Sequence, residues 1–108
     1  MGREALGEFE HQVLLTILRL GAESYSVPVV LELENRTGKS VAPAAVHIAL
    51  TRLEKKGLLR SRLVDPNADE GGRVRRYFKL EPAGIERLKE SRRALASLTE
   101  GLDPILDG

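Results

Sequence analysis

The 108-residue chain has no cysteine. Composition alone therefore excludes disulfides, thiolate metal sites and cysteine nucleophiles, and is compatible with a reducing compartment. Aromatic residues make up 4% of the chain: two tyrosines, two phenylalanines and no tryptophan. With so few rings, Phe9 and Tyr25 are read as packing side chains rather than ligand contacts. No apolar run approaches the roughly 20 residues that span a bilayer, and the residues up to Gly7 hold no apolar signal core. The expectation is a cytoplasmic protein with no membrane partner. There are two histidines, His11 and His47, with no carboxylates at ligand spacing beside them, so no metal site is expected. No phosphate loop or triad order stands in the sequence, which argues against an enzyme and against a cofactor. Glu8 with Glu10, and Glu32 with Glu34, lie two residues apart and do not share a helical face.

What the chain does have is an uneven distribution of charge. Its formal net charge is +1, and its pI of about 8.1 lies below the values above about 9 that mark nucleic-acid domains by bulk charge. Yet Arg52 to Lys79 hold nine of the seventeen bases and only four of the sixteen acids, while the segments before and after each carry four bases and six acids. Local charges of −2, +5 and −2 make a polarised molecule out of a nearly neutral one. A length of 108 residues, 42% of them apolar, is enough for one small domain with a single core.

Apolar spacing organises that domain. From Glu8 to Leu20, Phe9, Val13, Leu14, Ile17 and Leu18 recur at the helical period, and Gly21 stops the helix before a short loop. Ser26 is the expected N-cap of a second helix, with Pro28 in its first turn, and Gly38 follows its end near Thr37. Lys39 to Val41 are expected as a minor strand. Pro43 opens a third helix with Val46, Ala49, Leu50 and Leu53 as its apolar stripe, and Gly57 closes it. Two strands follow, through Leu58, Leu59, Leu63 and Val64 and through Val74, Tyr77, Phe78 and Leu80. Between them Asp65 to Gly72 is rich in turn residues. Pro82 opens a final helix of more than six turns carrying Ile85, Leu88, Leu95, Leu98 and Leu102, interrupted at Arg92. Asp103 to Gly108 are expected to fray. Three helices followed by a basic hairpin are the sequence pattern of a winged helix.

The same elements resemble the PadR family of bacterial transcriptional regulators. The likeness rests on Leu6-Gly7-Glu8-Phe9-Glu10, on Ser24-Tyr25-Ser26, on the run from Pro43 to Leu59 that contains Leu50-Thr51-Arg52-Leu53-Glu54-Lys55-Lys56-Gly57-Leu58-Leu59, and on Gly72 to Leu80. It covers most of the chain, and the last two blocks are moderately specific as a pair. Resemblance to this family implies a homodimer bound to an inverted-repeat operator, usually as a repressor, with the last helix pairing the subunits. Family members often carry glycine or a small hydroxyl residue early in helix 3 and an aromatic where this chain has His47, so the operator is expected to differ. Longer relatives have an additional helical domain; here any small-molecule effector, itself unknown, is expected near the dimer interface.

If the apolar stripe of the third helix faces the core, Ala44, Ala45, His47, Ile48, Thr51, Arg52 and Lys55 turn outward. Ala44, Ala45, His47 and Ile48 are expected to meet bases in the major groove, Thr51 to serve either role, and Arg52 and Lys55 to meet phosphate. Histidine titrates in the physiological range, so His47 would make affinity pH dependent. In the wing, Arg73 and Arg75 share one strand face and are expected to meet DNA, whereas Arg76 sits at an edge or pairs with an acid. For dimerisation the expected residues are Leu88, Leu95, Leu98 and Leu102, with Phe9 or Val13 on the first helix.

The predicted fold class is α+β and mostly helical, a winged helix-turn-helix over residues 1–81 with a long C-terminal dimerisation helix and tail over residues 82–108. The predicted function is a sequence-specific, double-stranded-DNA-binding regulator. The alternative is a winged-helix protein-interaction module that binds no operator.

Overall fold

A computed structural model describes residues 6–65 and 73–108. Helix α1 runs over Glu8–Leu20, α2 over Ser26–Thr37 and α3 over Pro43–Lys55. Strands β1 (Leu59–Val64) and β2 (Arg75–Leu80) pair antiparallel, in register from Leu59 opposite Leu80 to Val64 opposite Arg75. Helix α4 covers Pro82–Thr99 and a short α5 covers Asp103–Leu106. The expected turn through Gly71 and Gly72 lies outside the described residues.

Each helix of the first three buries the stripe its spacing predicts. Val13, Leu14 and Ile17 of α1, Val29 and Leu33 of α2, and Val46, Ala49, Leu50 and Leu53 of α3 form one core with Leu58, Leu59, Phe78 and Leu88. The hairpin closes this core from one side: Leu59 and Phe78 on its inner face are buried, and Leu80 packs at the margin. Helix α4 enters close against the hairpin. Gly84, in its first turn, is buried, and a Cβ there would stand 2.4 Å from the Leu58 carbonyl oxygen, so only glycine permits the approach.

Several expectations are corrected. Ser26 is the first residue of α2 rather than its cap; the N-cap is Tyr25, with no side-chain bond. The residue that does the capping work is Ser24, which is fully buried and whose hydroxyl donates to the carbonyls of Ile17 (3.2 Å) and Gly21 (2.8 Å) at the end of α1. The loop after α1 is a 3₁₀ turn, Gly21–Glu23. Lys39 to Val41 form no strand, because the Val41 N–H is taken by the Glu34 carboxylate at 2.9 Å. Tyr25 lies outside the core cluster, half-buried, whereas Phe9 packs against that cluster.

The C-terminal helix differs most. Gly101, at φ 81°, breaks the chain direction just past Thr99, so α4 has 18 residues and Leu102 is not on it. Asp103 to Leu106 make a helical turn instead of fraying. Val13, named for dimerisation, is fully enclosed, and Leu88 belongs to the core of its own chain. Leu95 and Leu98 are exposed, because α4 leaves the body after its first half. The radius of gyration of 16.0 Å exceeds the ~13 Å of a compact domain of this length for that reason.

Candidate nucleic-acid interface

The helix α3 presents its unburied side as one continuous surface. Ala44, Ala45, His47, Ile48, Thr51, Arg52 and Lys55 are all exposed, whereas the intervening Val46, Ala49, Leu50 and Leu53 are buried. Among these outward residues the chemistry changes along the axis. The first turns offer small and apolar groups, His47 is the first polar side chain, and the last turn is cationic. The Thr51 hydroxyl donates to the His47 carbonyl at 3.0 Å, which leaves its oxygen lone pairs outward. Among the described residues, neither Arg52 nor Lys55 pairs with an acid. Lys56, by contrast, turns inward and binds Glu10 of α1 through both carboxylate oxygens, at 2.9 and 3.2 Å.

The hairpin separates its arginines by face, as a period of two requires. Arg76 lies on the inner face and donates to the Ser61 hydroxyl at 2.9 Å, and that hydroxyl donates in turn to the Glu54 carboxylate at 2.6 Å. This relay ties β2 to β1 and to α3. Arg75, on the outer face, lies over the Tyr25 ring at 4.4 Å from its centroid. Its guanidinium pKa is raised above the ordinary arginine value, first by hydrogen bonding with the Tyr77 side chain and then by the charge interaction with Tyr25, so it stays protonated at all working pH. Tyr25 and Tyr77 meet at 5.2 Å with a 59° tilt, and Arg62 lies over Tyr77 at 5.4 Å. The result is a ladder of guanidinium, ring, ring and guanidinium across the junction of the hairpin and the α1–α2 connection. Beneath it the Phe78 N–H donates to the Ser24 carbonyl at 2.8 Å. Arg73 is exposed ahead of the strand.

The structure thus brings the α3 surface and the hairpin arginines onto one rigid body, with Arg75 held by two tyrosines and Arg76 held by the relay. Sequence reasoning missed Ser24, Tyr25, Tyr77 and Glu54 as the residues that position these bases. The one available signal was that both tyrosines of the chain stand next to or between basic hairpin residues and a helix entry. Among the described residues no three His, Asp or Glu side chains gather as a metal site would require, and no helix is long and apolar enough to cross a membrane.

The sequence pattern described as the transcriptional regulator PadR-like family matches residues 14–90. Transcriptional regulator Rv3488 of Mycobacterium tuberculosis is 44% identical over 66 residues, which are 59% of this chain and 56% of that protein. The match therefore spans little more than half of that curated relative. Among solved structures, a PadR-like transcriptional regulator from Bacillus cereus superposes with a TM-score of 0.72 at 21% identity, covering 93% of this chain and 92% of that one. A padR family transcriptional regulator from Eggerthella lenta gives 0.68 at 24% identity, covering 87% and 80%. At such identities these likenesses bear on the fold, a winged helix.

Proposed function

Since the chain belongs to the PadR-like family of transcriptional regulators, we propose that it binds operator DNA sequence-specifically as a homodimer and represses transcription there. In this reading α3 lies in the major groove, and the hairpin follows an adjacent groove or phosphate row. The observation that carries it is the exposed face of α3, apolar at its start and cationic at its end, with Arg52 and Lys55 paired to no acid among the described residues. Small and apolar side chains such as Ala44, Ala45 and Ile48 fit against thymine methyl groups, and His47 offers hydrogen bonds to base edges. Arg52, Lys55, Arg73 and Arg75 supply phosphate contacts, which set affinity and register while carrying little sequence information. A homodimer is favoured by the exposed Leu95 and Leu98 on the projecting half of α4, which an isolated chain leaves in water.

Selection of bound duplexes from a random pool at about 0.15 M salt tests the proposal. The expected result is an enriched inverted repeat with half-site centres about 10 base pairs apart. Weak binding with no enriched sequence, lost wholly with salt, would overturn operator recognition.

A further inference from the structure

A cleft of about 530 Å³ opens between the end of α1, the 3₁₀ turn, the hairpin and the start of α4. Its floor is apolar, from Ile17, Leu18, Phe78, Leu80 and Ile85. Its rim is cationic: Arg60 and Lys79 are direct cross-strand partners, and Arg62 is two residues further on the same face. Like charges directly opposite in a strand pair are destabilising. No acid lines the cleft, and its nearest compensation is Glu81, which meets Arg60 at 3.4 Å. The site therefore calls for an occupant that is apolar and acidic together.

The chain carries one such segment. Leu102, Ile105 and Leu106 are exposed around α5, beside Glu100, Asp103 and Asp107, and residues 94–108 hold no lysine or arginine. In its own chain α5 is carried away from the cleft, because α4 runs about 20 Å from Ile85 to Thr99 at 1.5 Å per residue. Two-fold symmetry brings it back. If two α4 helices pack antiparallel along their exposed leucines, with the axis near Leu95, then residue 105 of one copy falls level with residue 85 of the other. Residue 85 is on the floor of the cleft. We propose that α5 of a second copy seats in this cleft, with Ile105 and Leu106 on the apolar floor and Asp103 and Asp107 against Arg60, Arg62 and Lys79. This rests on the homodimer reading and specifies its outer contact.

Two charge-reversal variants of the full chain test it: Asp103→Lys with Asp107→Lys, and Arg60→Glu with Lys79→Glu. Each alone is expected to weaken dimerisation about tenfold or more in sedimentation equilibrium. Mixed in equal amounts, the two are expected to form a heterodimer with affinity within about threefold of the unaltered protein, since each interface then pairs opposite charges. Rescue on mixing requires a contact between chains, because a contact within one chain would stay broken. If neither reversal weakens dimerisation while Leu98→Glu does, the seating of α5 is overturned and the homodimer stands. If the unaltered chain is monomeric throughout, both fall. Should the Arg60→Glu, Lys79→Glu variant lose DNA affinity with dimerisation intact, the rim serves phosphate and the proposal is overturned.

Discussion

The residue that most repays attention is Ser24, since one buried side chain closes α1 and its own carbonyl holds β2. Removing the hydroxyl strands carbonyls that it now satisfies, so Ser24→Ala should cost about 1–2 kcal/mol, read as a lower midpoint of denaturant unfolding. The hairpin arginines should divide in the same way as their contacts. Arg73→Ala and Arg75→Ala should each reduce the slope of log affinity against log salt by about 0.9 in DNA-binding titrations. Arg76→Ala should leave that slope nearly unchanged and lower stability instead, because its guanidinium is engaged with Ser61 beside Glu54.

At the scale of elements, Gly84 sets how closely α4 approaches the hairpin. Gly84→Ala forces a methyl group against the Leu58 carbonyl and should destabilise by about 1–3 kcal/mol in thermal unfolding, unless α4 shifts outward. The elements themselves were legible in the sequence where one physical signal dominates. Helices α1 and α3 follow from unbroken apolar spacing and a glycine or proline at their ends, and both have the predicted limits. The errors arose where a short-range signal competes with a distant contact. Ser26 has the chemistry of a cap, but Ser24 is the serine that tertiary packing places over the α1 carbonyls. Val41 has strand propensity, but its N–H is claimed by Glu34 seven residues away. The leucine repeat past Leu98 continues in sequence across Gly101, which turns the backbone regardless of that repeat. On the candidate interface, periodicity sufficed to name the outward residues of α3. It did not reveal which arginines are braced, because Tyr25 reaches Arg75 only once α1, α2 and the hairpin have assembled.

At the scale of the whole molecule, the principal extents of 58, 35 and 21 Å describe a body with a projecting arm. Leu98→Glu on that arm should yield monomers in sedimentation and weaken operator binding, since two recognition helices must be held about one helical turn apart. The relay from Arg76 through Ser61 to Glu54 makes hairpin and α3 move together, so differences in half-site spacing must be absorbed at the subunit contact. The tyrosine ladder has a further consequence of another kind. With no tryptophan and only two tyrosines in the chain, near-ultraviolet absorption and emission come almost wholly from Tyr25 and Tyr77, which are stacked at the seam between wing and helices. The protein therefore carries a native chromophore at that seam, and the near-ultraviolet dichroism of those rings reports any reorientation of the wing without a label.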